Sequence, residues 1–242
     1  MILTQIKGLQ AGALRRIRGL QTLAGWLEQD CLLCAGVSDG DIVCSACAND
    51  LPRLPKPRCP CCALPTPTGE ICGRCLKKPP YFDAVQAVFA YDFPLDKLVQ
   101  SFKYAHRLAL GCYFGRQLSA LERIEADLVI PLPLHSERLR ERGFNQALEL
   151  ARPLSRAWGL PIDATSCTRT RNTTAQALLP WRQRVKNIGG AFHCSTDLTG
   201  QRIILIDDVM TSGASLNEFA RTLKLHGALE LTALVVARAL PK

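Results

Sequence analysis

The chain has 242 residues, 48% hydrophobic and 21% charged, and 30 Lys and Arg against 21 Asp and Glu give it a formal charge of +9. This is globular composition, which excludes wholesale disorder and collagen-like repeats. No run reaches the roughly 20 apolar residues of a membrane span, the most apolar one, 231–240, being broken by Thr232 and Arg238. Lys7, Arg15, Arg16 and Arg18 interrupt any secretory h-region, so the expected location is the cytoplasm.

In chain order, residues 1–27 read as a basic amphipathic helix, with Ile6, Leu9, Ala13, Leu14, Ile17, Leu20 and Leu23 at helical spacing. Such a helix more often packs on its own protein than on a membrane surface. Residues 28–80 form the next expected domain. They carry much proline and too few apolar residues to build a core alone, so something else must hold them.

That something is legible in the cysteines. Of 12 in the chain, nine fall between Cys31 and Cys75, and in a reducing compartment a cluster of this kind binds metal more often than it forms disulfides. Four Cys-x-x-Cys pairs stand out: Cys31 and Cys34, Cys44 and Cys47, Cys59 and Cys62, Cys72 and Cys75. Two residues between thiolates let both sulfurs of a tight knuckle face one ion, and two knuckles complete a tetrahedral site that suits Zn²⁺. Four pairs predict two zinc ions. Nearest-neighbour pairing is the simplest arrangement, and spacing leaves an interleaved one open. Cys61 adjoins a ligand, but the spacing favours Cys62. The spacing of bacterial iron–sulfur proteins is not present. With four thiolates on each ion no coordination position stays open, so the expected role is structural. Two loaded sites would bring the net charge to about +5. Cys112, Cys167 and Cys194 are isolated and read as buried apolar residues.

After Pro80 the texture becomes that of an α/β domain, expected over 81–242. Strands are predicted within 81–92 and two helices over 94–121, followed by a buried strand at 126–133 and a helix over 141–159. A strand at 203–207, a helix at 212–228 and a final strand at 231–238 complete the alternation, which indicates a mostly parallel sheet.

The sharpest signal is Ile203-Ile204-Leu205-Ile206-Asp207-Asp208-Val209-Met210-Thr211-Ser212-Gly213-Ala214-Ser215. A buried strand delivers two carboxylates to its C-terminal end, where ligands bind in open α/β sheets. The loop's amides, the helix N-terminus and the hydroxyls of Thr211, Ser212 and Ser215 suit a phosphate monoester. Asp207 and Asp208 then lie about one ribose away, as acceptors for vicinal hydroxyls. A Walker B strand also ends in acids, but the chain lacks the P-loop that goes with it. A response-regulator acidic pair opens its domain, whereas only 34 residues follow Asp208.

This segment resembles the 5-phosphoribosyl-1-pyrophosphate (PRPP) motif of type I phosphoribosyltransferases. Residues 129–155, 169–192 and 72–92 are similar to the ComF family, which includes the GntX-like proteins, and the resemblance spans about residues 30–240. It implies a double zinc ribbon preceding a type I phosphoribosyltransferase fold. It also implies a link to the uptake and use of external DNA in natural competence, with competence-machinery proteins as partners and a poorly defined enzymatic reaction. By the family motif, Asp207 and Asp208 hold the ribose hydroxyls and Thr211, Ser212, Gly213, Ala214 and Ser215 the 5-phosphate, with Mg²⁺ accompanying PRPP. Ser212 stands where the family often has Thr, and either supplies a hydroxyl. The segment after strand 126–131 corresponds to the pyrophosphate site and residues 169–186 to the mobile loop that closes over it.

Residues 137–186 carry ten Lys and Arg against four acids. Most read as solvated helix faces. Arg138, Arg142, Arg169 and Arg171 are the candidates for a pyrophosphate clamp, because guanidinium forks suit phosphate oxygens. The rival to a phosphoribosyltransferase with unknown acceptor is a binding module, either a PRPP or nucleotide sensor or a single-stranded-DNA scaffold with Phe144 and Trp181 as stacking platforms. His135, near the pyrophosphate segment, reads as a surface histidine.

Overall fold

The computed structural model describes residues 29–38, 40–172 and 188–241. The helix expected at 1–27, Trp181 and most of the basic stretch 169–186 lie outside them. Among the described residues no helix is long and apolar enough to cross a membrane.

The chain divides into two compact units, one ending at Asp50 and the other beginning at Leu51. In the first, β1 (Gln29–Asp30) and β2 (Val37–Ser38) pair antiparallel, and α1 (Ser45–Asn49) follows. The second unit opens with another knuckle segment that includes α2 (Gly73–Lys77). It continues through β3 (Ala84–Ala90), α3 (Leu95–Tyr104), α4 (Ala109–Ser119), β4 (Leu128–Pro131), α5 (Ser136–Arg142) and α6 (Gln146–Trp158). Strands β5 (Cys167–Arg169) and β6 (Phe192–Cys194), then β7 (Arg202–Met210), α7 (Ala214–Leu225) and β8 (Glu230–Arg238), complete it.

The sheet is four-stranded and wholly parallel in the order β3-β8-β7-β4, with β7 and β8 in register from Arg202↔Glu230 to Met210↔Arg238. Eight of the nine β8 residues are buried, which is why this strand reads as a continuous apolar run rather than an alternating one. Helices α4 and α6 pack on each other and on the sheet. Their approach is close, because a Cβ on Gly115 would meet Pro153 Cγ at 2.7 Å. Strands β5 and β6 form a separate antiparallel pair.

Three expectations are corrected. The single helix over 141–159 is two helices, separated at Gly143, whose φ of 72° is left-handed. The strand expected to stop at Asp207 runs to Met210, because β8 is long enough to pair with it throughout. Cys112 is exposed, whereas Cys167 and Cys194 are buried and face each other across β5 and β6.

The segment 51–62 supplies what its own composition lacks by running along β3. Leu54 N donates to Val88 O at 3.2 Å, Ala90 N to Pro52 O at 2.8 Å and Val85 N to Pro60 O at 3.2 Å. An otherwise open sheet edge is thereby covered.

Candidate functional site

The two cysteine clusters repeat one geometry. Ala35 N donates to Cys31 O at 2.9 Å and Ala63 N to Cys59 O at 2.9 Å. Cys44 N donates to Cys31 Sγ at 3.3 Å and Cys72 N to Cys59 Sγ at 3.3 Å. Each set brings four Sγ atoms within 4.8 Å of one another, Cys31, Cys34, Cys44 and Cys47 in the first and Cys59, Cys62, Cys72 and Cys75 in the second. The pairing left open by spacing is therefore nearest-neighbour, and Cys61 is in neither set. A tetrahedron with metal–sulfur bonds of about 2.3 Å has sulfur–sulfur edges of about 3.8 Å. Cys34 to Cys44 is 3.8 Å and Cys62 to Cys72 is 3.6 Å, so both sets fit such an ion. Burial works to raise the Cys31 thiol, but amide donations from Cys44, Cys34 and Leu33 outweigh it and bring it to about 6. Cys72 is likewise held at about 7, its burial opposed chiefly by the Cys75 amide.

The second centre of chemistry is a cleft of about 400 Å³ above the C-terminal ends of β4 and β7. Asp207 and Asp208 form one wall. Each uses one oxygen locally, Asp207 Oδ1 accepting from Asp208 N at 2.8 Å and Asp208 Oδ1 from Val209 N at 2.6 Å. The other Asp208 oxygen bonds Lys103 Nζ at 2.9 Å, with side-chain exposures of 10% and 20%, so the pair is largely desolvated. Burial alone would discharge Lys103, but the charges of Asp208 and Asp207 outweigh it and hold the ammonium above its ordinary range. Asp207 is raised to about 7, first by burial and then by the Asp208 charge, against the pull of Lys103 and Arg169.

Arg138, Arg142 and Arg169 also line this cleft. Arg142 lies 5.4 Å over the Tyr104 ring and donates to Gln146 Oε1 at 3.0 Å. Arg169 lies 5.5 Å over the Phe192 ring. Its pKa is lowered to about 10, first by burial, then by the charge of Arg138 and, more weakly, of Arg142, with Asp207 opposing. Mutual repulsion among guanidiniums is relieved by a shared anion. A neighbouring hollow of about 440 Å³ shares Lys103, Tyr104, Arg138 and Arg142 with the cleft.

Residues 26–76 match the double zinc ribbon domain family, and residues 143–240 the phosphoribosyl transferase domain family. DNA utilization protein YhgH of Escherichia coli (strain K12) is 35% identical over 196 residues, 77% of this chain and 86% of its own length. The chain belongs to the ComF/GntX-like family. Competence protein F of Haemophilus influenzae is 31% identical over 211 residues, 81% of this chain and 90% of its own. Competence protein ComFC of Bacillus subtilis is 26% identical over 222 residues, 81% and 89% of the two chains. The sheet-bearing unit of this ComF/GntX-like chain has the type I phosphoribosyltransferase fold.

The residues singled out in this family member distribute as follows. Asp207, Asp208, Thr211, Ser215, Arg138, Arg142 and Arg169 meet in the cleft. Ser212, Gly213 and Ala214 instead line a smaller hollow of about 160 Å³ that is also walled by Cys62 and Cys75. Gly213 caps α7 with φ 79°, a left-handed conformation that a side chain rarely adopts. Arg171 is exposed and donates to Gly189 O at 2.6 Å, away from the cleft. His135 is half-buried and N-caps α5, its Nδ1 accepting from Glu137 N at 3.3 Å. Phe144 packs against Phe102 and His106 at centroid distances of 5.6 and 6.3 Å, and Tyr104 is the exposed aromatic beside the cleft.

Sequence reasoning missed Lys103, Gln100, Tyr91, Asn145 and Gln146, all of which line the cleft. A signal existed for Lys103. It lies one helical turn after buried Val99, at the edge of the apolar face of α3, where a cation needs a partner.

Proposed function

We propose that this chain binds PRPP in the 400 Å³ cleft and transfers its phosphoribosyl group in a process linked to DNA utilization. The observation that carries the reading is the opposition of two charge types in one desolvated space: Asp207 and Asp208 on one wall, and Arg138, Arg142 and Arg169 converging on it. A ligand with vicinal hydroxyls at one end and a diphosphate at the other satisfies both. The names of the relatives, competence and DNA utilization proteins, supply the link to DNA.

In this reading the carboxylates accept from the ribose 2′ and 3′ hydroxyls, and the loop 211–215 holds the 5-phosphate from its cleft side, where Thr211 and Ser215 lie. The arginines orient the diphosphate and take up the charge that develops on it as the C1–O bond opens. Mg²⁺ bound with the ligand would supply charge neutralisation. Asp207 and Asp208 offer the hard oxygen donors that fit it. The acceptor attacks C1 from the open side of the cleft.

Calorimetry with PRPP, with and without Mg²⁺, tests binding, and a pyrophosphate-release screen over bases, amines and oligonucleotides tests transfer. Mg²⁺-dependent binding with release is the expected result. Binding without release would leave a PRPP sensor, and no binding would remove the reading.

One observation favours a second reading, a single-stranded-DNA scaffold: Tyr104 is 67% exposed beside the basic hollow. Stacking on such a ring tolerates any base. With about three phosphate contacts, log affinity for an oligonucleotide should fall against log salt with a slope near −2. A flat salt dependence would eliminate this reading.

A further inference from the structure

Arg238, at the end of β8, is 1% exposed and heads the fully buried side chains by volume. A buried guanidinium is retained only where its donors are met and its charge is balanced. Its donors are met by backbone carbonyls. Nε donates to Cys62 O at 2.9 Å, and Nη1 donates to Met210 O at 2.8 Å, to Ala239 O at 3.0 Å and to Thr211 O. One side chain thus joins the backbone of a candidate metal ligand to the two carbonyls from which the loop 211–215 departs. The register places Met210 directly opposite Arg238. The same two pieces face each other across the small hollow lined by Cys62, Cys75, Ser212, Gly213 and Ala214.

Balance for the charge comes from the same direction. Four thiolates around a divalent ion leave a net charge of −2, and Cys62 and Cys75 are the groups whose negative charge acts favourably on Arg238. An ion at the second cluster therefore does two things. It fixes the Cys62 backbone to which Nε is anchored, and by keeping the four cysteines deprotonated it leaves the site the net negative charge that balances the guanidinium. With the guanidinium held, Nη1 in turn fixes the root of the loop.

We propose that Arg238 is a positioning residue through which the metal at Cys59, Cys62, Cys72 and Cys75 sets the geometry of the loop 211–215, so that metal retention at this cluster and ligand binding at the loop are coupled. The proposal rests on the reading that this loop holds the 5-phosphate of PRPP. Coupling of this kind is reciprocal: if metal tightens PRPP binding, PRPP tightens metal retention by the same factor. The first cluster, in its own compact unit, provides an internal reference.

The test uses the full-length, fully metallated protein. A chelator withdraws zinc, a metallochromic dye reports the two releases, and the run is repeated with saturating PRPP and Mg²⁺. The expected result is that PRPP slows one release by about tenfold and leaves the other unchanged. Arg238→Lys keeps the positive charge but cannot span the same carbonyls, and should lose this protection and bind PRPP about tenfold more weakly with both ions still bound. Leu154→Ala, in the buried face of α6, destabilises the same unit without touching Arg238 and should keep the protection.

Protection lost equally in Leu154→Ala would mean that PRPP acts through global stability, and would overturn the proposal. So would PRPP binding to the wild type with both release rates unchanged, an outcome that spares the reading of the cleft. Failure of the metallated wild type to bind PRPP at all would sink that reading, and the coupling with it. Should Arg238→Lys not fold, the wild-type comparison still decides, because the two ions are read against each other.

Discussion

At the scale of the residue, the chemistry concentrates on Asp207, Asp208 and Lys103. Asp207 titrates at about 7 because burial and the Asp208 charge disfavour its ionised form. A carboxyl whose folded pKa lies above its ordinary 3.8 contributes stability that is whole below that value and is lost as pH rises through about 7. Asp207→Asn removes this loss. The thermal midpoint of the variant should match wild type near about pH 4 and exceed it by a few degrees near about pH 8, as read by scanning calorimetry. PRPP affinity should show the opposite trend. In the wild type it should strengthen between about pH 6 and pH 8 as the ribose acceptor ionises, and in Asp207→Asn it should stay weak and flat. Lys103 makes the reverse case. Lys103→Met leaves Asp208 buried without its 2.9 Å partner and beside a second carboxylate. Urea unfolding should then show a loss of roughly 2–3 kcal/mol. The double variant Lys103→Met/Asp208→Asn should recover part of that loss, since it removes the stranded charge.

At the scale of the element, the parts written in local chemistry were legible and the parts set by tertiary contact were not. The run Ile203–Ile206 and the following acids announced a buried strand with a polar end, and β7 is that strand. The four knuckles announced two four-cysteine sites, because two-residue spacing is itself the ligand geometry. The extension of β7 to Met210 was not legible, since it depends on pairing with β8. The division of 136–158 was also missed, because Glu141 to Trp158 keeps a helical apolar pattern, which the left-handed backbone at Gly143 and the extended N-cap at Asn145 interrupt. Lys103 could be read as a cation at the edge of an apolar helix face that needs a partner, but that the partner is Asp208 could not, since it lies far along the chain on another element. Helix packing offers a direct check on the tertiary side. At Gly115 a methyl group would lie 2.7 and 2.9 Å from Pro153 and 3.0 Å from Leu150 O, a proline ring and a backbone atom that cannot swing aside. Gly115→Ala should raise helix propensity yet destabilise the protein by about 1–3 kcal/mol, read as a lower urea midpoint with an unchanged slope.

At the scale of the molecule, two four-cysteine sites of the same ligand spacing sit in different settings. The first belongs to the compact unit that ends at Asp50, and the second to the unit that carries the sheet and the cleft. In that second unit the segment 51–62 covers the β3 edge, and Cys59, Cys62 and Cys75 are buried. A structural zinc supplies about 10 kcal/mol or more of folding free energy to whatever surrounds it, so equal chemical lesions should have unequal consequences. Cys31→Ser/Cys34→Ser should leave one zinc per chain by elemental analysis, with the sheet unit unfolding at the wild-type temperature and PRPP affinity within about twofold of wild type. Cys59→Ser/Cys62→Ser should also leave one zinc. It should in addition loosen the cover over β3 and the anchor of Arg238, lower the unfolding temperature of the sheet unit, promote aggregation through the opened edge and abolish PRPP binding. If the two double variants lose PRPP binding equally, the sites are not functionally distinct, and the placement of the second cluster with the sheet has no consequence for the cleft.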